Sequence, residues 1–413
     1  MSLLNRLMGV RYAQRSPVTL GGVPLPPAHE PLHTLVAGAT GTGKTVLADE
    51  VLTKLVARGD RFVVADANGH YLSHHYRQDD EVMNPFDVRG RGWSVFNELR
   101  SDFDPDRIAR SLVPDGHGPD AAWHHYAQVL LSETLRILKL RGEADTGSLL
   151  HWCTVAPSSE LKQLLAGTPA QGLFDADAAR ALASTRFIVT SHLNPHKHLP
   201  AGDFSLRTWL QNGEGNLFLT WRSDMLVSLK PLISCWTDIL LSAVLSLPPN
   251  PERRIWLVLD ELAALGKLSS LELALTTGRK HGLCVLAGVQ SVAQLDRLYG
   301  RDSATVLRSC FRNLIVLGIA KTDPDTSEAM SKSLGEREVD REQQSNSQGT
   351  QGVTKSISVH RVRERLVLPS ELNQLPDLNG YLVLAGDHPT SRIALTPRER
   401  PIVANAIEET TSC

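Results

Sequence analysis

Two short stretches carry residue types that could do chemistry together. The first is Gly38-Ala39-Thr40-Gly41-Thr42-Gly43-Lys44-Thr45, with the spacing G-x-x-x-x-G-K-[ST]. Glycines 38, 41 and 43 let backbone amides face phosphates without side-chain interference, and a helix starting near Lys44 adds positive partial charge at its N-terminus. Lys44 would reach the β- and γ-phosphates of ATP, and the Thr45 hydroxyl would ligate Mg2+. The second is the acid pair Asp260-Glu261, which closes the apolar run "IWLVL". Asp260 would hold Mg2+ through its water shell, and Glu261 would orient or deprotonate the attacking water. Taken alone, such a pair is also a common helix N-cap after a core strand; beside the phosphate loop it reads as a hydrolytic site.

Two further residues could complete hydrolysis. Gln290 ends the run "LCVLAGVQ", and its neutral amide could hydrogen-bond the γ-phosphate or the water. Arg279, in "LTTGRKHGL", could lend positive charge to a transition state in a neighbouring subunit. By itself an exposed arginine is ordinarily a solvated charge.

These residues need a sheet whose strands all end at one edge. Short β-branched runs alternate with helical patterns, which predicts an α/β fold with a mostly parallel sheet. Strands are expected at 33–37, 61–65, 216–221, 255–260, 283–289, 313–319 and 381–385. In the first expected helix, 44–58, Leu47, Val51 and Leu55 fall four apart on one face. The second and third strands are about 150 residues apart, where βα connections are normally short. The gap carries helical patterns, so an inserted all-α domain is expected at 90–205, splitting a nucleotide-binding domain into 1–89 and 206–413. Trp93, Trp123, Trp152 and Trp209 are expected to anchor the insertion to the nucleotide-binding domain. The stretch 335–360 is rich in Gln, Ser, Gly and charge and reads as a long mobile loop, and the last dozen residues read as a frayed tail.

Composition sets limits. Across 413 residues the formal net charge is −2, which argues against a wholly basic nucleic-acid-coating surface but leaves room for a local basic groove or pore. Five cysteines without a C-x-x-C pair read as thiols of a reducing compartment. The N-terminal stretch has no apolar core of a secretory signal. The longest apolar stretch, 231–249, contains Asp238 and is shorter than the roughly 20 residues that a membrane span needs, so a buried helix is expected. The histidines at 70, 74 and 75 and at 192, 196 and 198 lack cysteine or carboxylate partners at metal-helix spacing. No G-x-S-x-G nucleophile pattern is present.

Together "GGVPLPPAHEPLHTLVAGATGTGKT", "VADANG", "GWSVFNELR", "GDFSLRTWL", "GNLFLTWR", "WLVLDELAALGKLSSLELALTTGRKHGL" and "RVRERLVLPSEL" resemble the type IV coupling proteins of bacterial conjugation. The resemblance is to the TrwB-like branch of the TraD/VirD4 group and runs from about 18 to 397. It implies a RecA-like P-loop NTPase domain with an inserted all-α cap, assembled as a homo-hexamer, the isolated chain staying monomeric or assembling on DNA. It implies a DNA-stimulated ATPase that pumps single-stranded, or double-stranded, DNA with its bound relaxase towards the components of a type IV secretion channel. Lys44 and Thr45 match the family's phosphate-loop pair, Asp260 and Glu261 its acids, Arg279 its trans-acting arginine and Gln290 its sensor. Family members usually begin with two transmembrane helices, absent here through truncation or by nature; in either case the motor would face the cytoplasm.

A ring needs few DNA contacts per copy, because six copies of one basic loop make a collar. Candidates are Arg222, Lys230 and Lys267, each of which also reads as ordinary surface charge. Arg361, Arg363 and Arg365 alternate and could form an edge strand beside a subunit interface. The alternative to a motor is a recruiting platform that binds relaxase and DNA and uses nucleotide only as a switch.

Overall fold

The computed structural model describes residues 16–409 except 117, 176–177 and 350–351. Thirteen strands occur among them: β1 (Thr19–Leu20), β2 (Val23–Pro24), β3 (Thr34–Ala37), β4 (Arg61–Ala67), β5 (Glu81–Met83), β6 (Leu217–Trp221), β7 (Ile255–Leu259), β8 (Leu283–Val289), β9 (Asn313–Leu317), β10 (Glu336–Gly349), β11 (Gly352–Arg365), β12 (Asn379–Val383) and β13 (Ser391–Ala394). Nine of them form one sheet in the order β13-β12-β9-β3-β8-β7-β4-β6-β5. From β9 to β5 every pairing is parallel, whereas β12 runs antiparallel to both β9 and β13.

All seven expected strands are present. β5, β13 and the small β1–β2 hairpin were not anticipated, because two to four residues leave almost no periodic signal. β3, β6, β7 and β8 are buried along their whole length, as strands covered on both faces must be. Side chains alternate between two cores. Val36, Phe62, Val64, Trp256 and Val258 join Leu47, Val51 and Leu55 of the helix Lys44–Arg58 on one face. Leu35, Ala37, Val63, Ala65, Leu257 and Leu259 face the other way. That helix stops at Gly59, whose left-handed φ of 70° lets its amide reach the Leu55 and Val56 carbonyls.

Between β5 and β6 the described regular elements are all helical, the longest being Ala121–Arg141 and Ala179–Leu193. Their apolar side chains do not close a separate core but run into the second face of the sheet, with the helix Leu226–Leu245 between them. That helix is apolar enough to cross a membrane by composition, yet 78% of its most apolar window is buried inside the protein. One of the four tryptophans anchors this region as expected: Trp93 meets Trp236, on the helix Leu226–Leu245, edge-on at 6.0 Å. Arg61 of β4 lies over the Trp209 ring at 4.4 Å, but both residues fall outside 90–205. Trp123 and Trp152 pack against Tyr126 and His151 inside the helical region instead.

Two expectations are corrected. The 335–360 stretch is not a loop: β10 and β11 pair as a long antiparallel ribbon. Its register sets Glu336 opposite Arg365, Glu338 opposite Arg363 and Asp340 opposite Arg361, so alternating acids and arginines form oppositely charged rungs in place of an apolar face. The arginines at 361, 363 and 365 therefore do lie on one strand. The last residues, as far as 409, are not frayed either. After β13 the chain runs as a strap: Arg400 pairs with Asp49, the Val403 amide donates to the Ser73 carbonyl and the Val88 amide donates to the Glu408 carbonyl. Backbone bonds to distant segments hold it, which local sequence does not display; 410–413 lie outside the described residues.

Candidate functional site

β3 ends at Ala37 and the helix begins at Lys44, so the glycine-rich loop fills the turn between them at the C-terminal edge of the parallel strands. The Gly38 amide donates to Val289 at the end of β8, and the Ala39 amide donates to Gly318 just past β9. Gly43 adopts φ 117°, and a β-carbon there would press on Leu395 at 2.8 Å and Leu378 at 3.0 Å. Only glycine satisfies both the conformation and the space. The Lys44 ammonium is buried and donates to the carbonyls of Gly38 (2.8 Å) and Ala39 (3.1 Å). Burial lowers its pKa, while Glu261 and Asp260 oppose the shift.

β8 lies between β3 and β7, yet the ends of the outer two strands meet. The Thr45 hydroxyl donates to Asp260 Oδ2 over 2.8 Å. β8 lets them approach because its penultimate residue is Gly288: a β-carbon there would sit 1.9 Å from the Asp260 carbonyl. Two hard oxygen donors thus stand together beside the phosphate loop, a set that suits Mg2+, which takes one or two protein oxygens and completes its shell with phosphates and water. Among the described residues no group of three or more His, Cys, Asp or Glu could hold a metal ion unaided.

Glu261 follows with its carboxyl oxygens buried and without a hydrogen-bond partner of ordinary length among the described residues. Burial raises its pKa, and the neighbouring Lys44 ammonium and Gln290 amide pull the other way. Gln290 reaches this place because it directly follows β8, next to the phosphate-loop strand. Lys44, Thr45, Asp260, Glu261 and Gln290 therefore converge.

Arg279 does not join them. It lies in the 3-10 turn Gly278–His281 before β8, whereas Gln290 lies after it. Seven strand residues at about 3.3 Å each put the two ends of β8 roughly 20 Å apart. The arginine instead lines a cleft of about 570 Å³ with Pro31, Pro251 and Lys280 on the opposite edge of the sheet.

The basic candidates divide. A β-carbon at Gly266 would meet Lys230 Cε at 2.9 Å, so Lys230 packs against the loop that carries Lys267. The Lys267 ammonium donates to the Asp115 carbonyl of the helical region. Arg222 sits elsewhere, in ion pairs with Asp224 and Glu409, so its charge is already answered within the chain.

Sequence reasoning passed over two buried groups at the end of β4. Asp66 is fully buried and accepts the amides of Tyr71 (3.1 Å) and Leu72 (2.7 Å), capping the helix His70–His75. Burial pushes its carboxyl up to about 7 against those hydrogen bonds. Tyr71, 2% exposed, directs its hydroxyl at Asp260 and Thr45. The signal in "VADANG" is an acid ending an apolar strand, two residues before a left-handed Asn68-Gly69 turn.

Comparison with known proteins agrees with this geometry. Residues 17–396 match the family described as the type IV secretion-system coupling protein DNA-binding domain. Coupling protein TraD of Escherichia coli strain K12 is 28% identical over 408 residues, covering 94% of this chain but only 56% of TraD. The chain thus spans little more than half the length of that relative. The plasmid coupling protein TrwB, solved with ADP and Mg2+, is 45% identical, with a TM-score of 0.90 covering 98% of this chain and 95% of that one. TrwB with the non-hydrolysable ATP analogue ADPNP gives the same figures. The fold is therefore the expected RecA-like one with a helical region, and the chain belongs to the type IV secretion-system coupling proteins.

Proposed function

We propose that the chain is a Mg2+-dependent, DNA-stimulated ATPase that moves DNA during conjugation, delivering relaxase-bound single-stranded DNA to a type IV secretion channel at the cytoplasmic face of the inner membrane. The observation that carries this reading is the 2.8 Å contact between Thr45 and Asp260, with Glu261 and Gln290 beside it. TrwB binds ADP with Mg2+ and ADPNP, and it shares this fold over nearly the whole chain.

Each residue has a task. Lys44 leaves the Gly38 and Ala39 carbonyls for phosphate oxygens. Thr45 and Asp260 would hold the magnesium ion, which would supply positive charge to the nucleotide's phosphates. Glu261, buried and raised in pKa, accepts a proton from the attacking water. The Gln290 amide aligns that water or the γ-phosphate. Arg279, about 20 Å from its own site, serves the site of the next copy in a hexameric ring, with 90–205 as its helical cap. Lys230 and Lys267, on neighbouring segments at Gly266, are the better collar candidates; Arg222 would first have to leave its two acids.

The test is ATP turnover with and without single-stranded DNA, with particle mass measured under the same conditions. Turnover that rises with DNA as closed assemblies form supports the motor. Equal turnover, together with DNA and relaxase binding that simply follows nucleotide state, would establish the recruiting platform instead.

A further inference from the structure

We infer that Tyr71 is a positioning residue of the nucleotide site, its hydroxyl fixing the Asp260 carboxylate in the orientation that receives the cation. This rests on the assignment of Asp260 as the metal-side acid. The Tyr71 ring is 2% exposed, and its hydroxyl faces the Asp260 carboxylate and the Thr45 hydroxyl. The phenol oxygen is buried without a hydrogen-bond partner of ordinary length among the described residues. A buried hydroxyl left unsatisfied costs stability, so a native site keeps one where ligand binding completes its bonds.

The chain goes to some length to put it there. β4 ends beside β7, the strand that carries Asp260. Asn68 and Gly69 turn the backbone through left-handed conformations (φ 60° and 65°), and Asp66 then takes the Tyr71 amide at 3.1 Å. The Asp260 backbone is already confined by its approach to Gly288, so the side-chain torsion is the freedom that remains. In the free protein Thr45 restrains it by donating to Oδ2. A hydroxyl that gives a lone pair to a cation keeps its proton and can go on donating to Oδ2. Tyr71 adds a second hydroxyl beside Asp260, so that two elements hold the carboxylate rather than one. A neutral phenol suits the task, because it donates a hydrogen bond without a positive charge to repel the metal.

The experiment titrates a fluorescent ADP analogue onto Tyr71→Phe, Asp260→Asn and the parent protein, from EDTA to millimolar Mg2+, and repeats the titration with Mn2+ read by electron paramagnetic resonance. Tyr71→Phe keeps the ring and loses the oxygen. The expected result is an Mg2+ midpoint raised about 10-fold, with unchanged affinity in EDTA and an unchanged melting temperature. An Mg2+ midpoint equal to the parent's would overturn the inference. If Asp260→Asn also leaves the midpoint where it was, the assignment of Asp260 itself fails, whatever Tyr71 does. Should Tyr71→Phe not fold, 3-fluorotyrosine placed at position 71 serves instead. Its fluorine resonance must move with Mg2+-ADP and stay still with ADP in EDTA; movement in both or in neither counts against the role.

Discussion

The Thr45 hydroxyl and the Asp260 carboxylate meet at 2.8 Å although 215 residues separate them in the chain. One belongs to the first turn after the phosphate loop and the other to the end of β7, and β8 lies between their strands. Glu261, one residue on, is thereby aimed at whatever the loop holds. Glu261→Gln keeps the shape and removes the base, so turnover should fall by about 100-fold or more while nucleotide affinity changes little. Phosphate release and fluorescent-nucleotide titration separate the two effects; an equal loss in both would make Glu261 a shaping residue.

Lys44 is a buried cation whose hydrogen bonds in the free protein go to two carbonyls. Removing a cation kept from water at a cost should not destabilise the nucleotide-free protein. Lys44→Ala should therefore keep its melting temperature and lose the upward shift that ATP gives the parent. A large fall in the nucleotide-free melting temperature would show that the lysine serves the fold.

Arg279 lies at the far end of β8 from Gln290. Neither Arg279→Ala nor Lys44→Ala should turn over ATP well alone. Mixed in assembling conditions, the two should regain part of the parent activity, because an intact arginine can then face an intact phosphate loop. No recovery in mixtures shown to co-assemble would rule out action across an interface.

Gly69 has φ 65°, and a β-carbon on it would lie 2.0 Å from the Ala406 carbonyl oxygen of the strap. Gly69→Ala meets both strained backbone and a backbone clash, together costing on the order of 2–6 kcal/mol. Urea unfolding should show a loss in that range, and proteolysis should cut first after residue 396. An unaltered midpoint would mean that the strap yields freely.

His33 is buried between the Leu275 carbonyl, to which Nε2 donates, and the Val285 amide, which donates to Nδ1. Burial holds its pKa down at about 4, so the folded protein keeps it neutral while the unfolded chain protonates it below about 6.5. The unfolded state then binds more protons, so stability falls as pH drops below about 6.5, and the His33 share of the loss is complete once pH has passed about 4. At about 1.4 kcal/mol per unit, the full share is roughly 3 kcal/mol. Urea midpoints at pH 7, 5.5 and 4.5 should decline in that order. A flat profile would require a compensating group.

Much of this was legible in the residues because it is local. The phosphate loop, the acid pair and the doubly covered strands announce themselves within ten residues. Tyr71 does not: only the adjacency of β4 and β7 brings it to Asp260, and no window around "VADANG" contains that fact. The ribbon was misjudged because apolar content was taken as the measure of order, whereas its charged rungs pair a carboxylate with an arginine and show only when 336–340 is laid against 361–365. The strap was missed because its partners, Asp49, Ser73 and Val88, lie more than 300 residues earlier.

The sheet order also bears on biosynthesis. β3 pairs only with β8 and β9, and its first partner emerges some 250 residues later. At about 5–20 residues per second, a ribosome needs roughly 13 to 50 seconds to deliver it. Throughout that interval the nascent phosphate loop hangs from an unpaired strand that the finished fold buries completely, a natural client for holding chaperones. Translation must pass β9 before both neighbours of the phosphate-loop strand exist and fuel can be gripped.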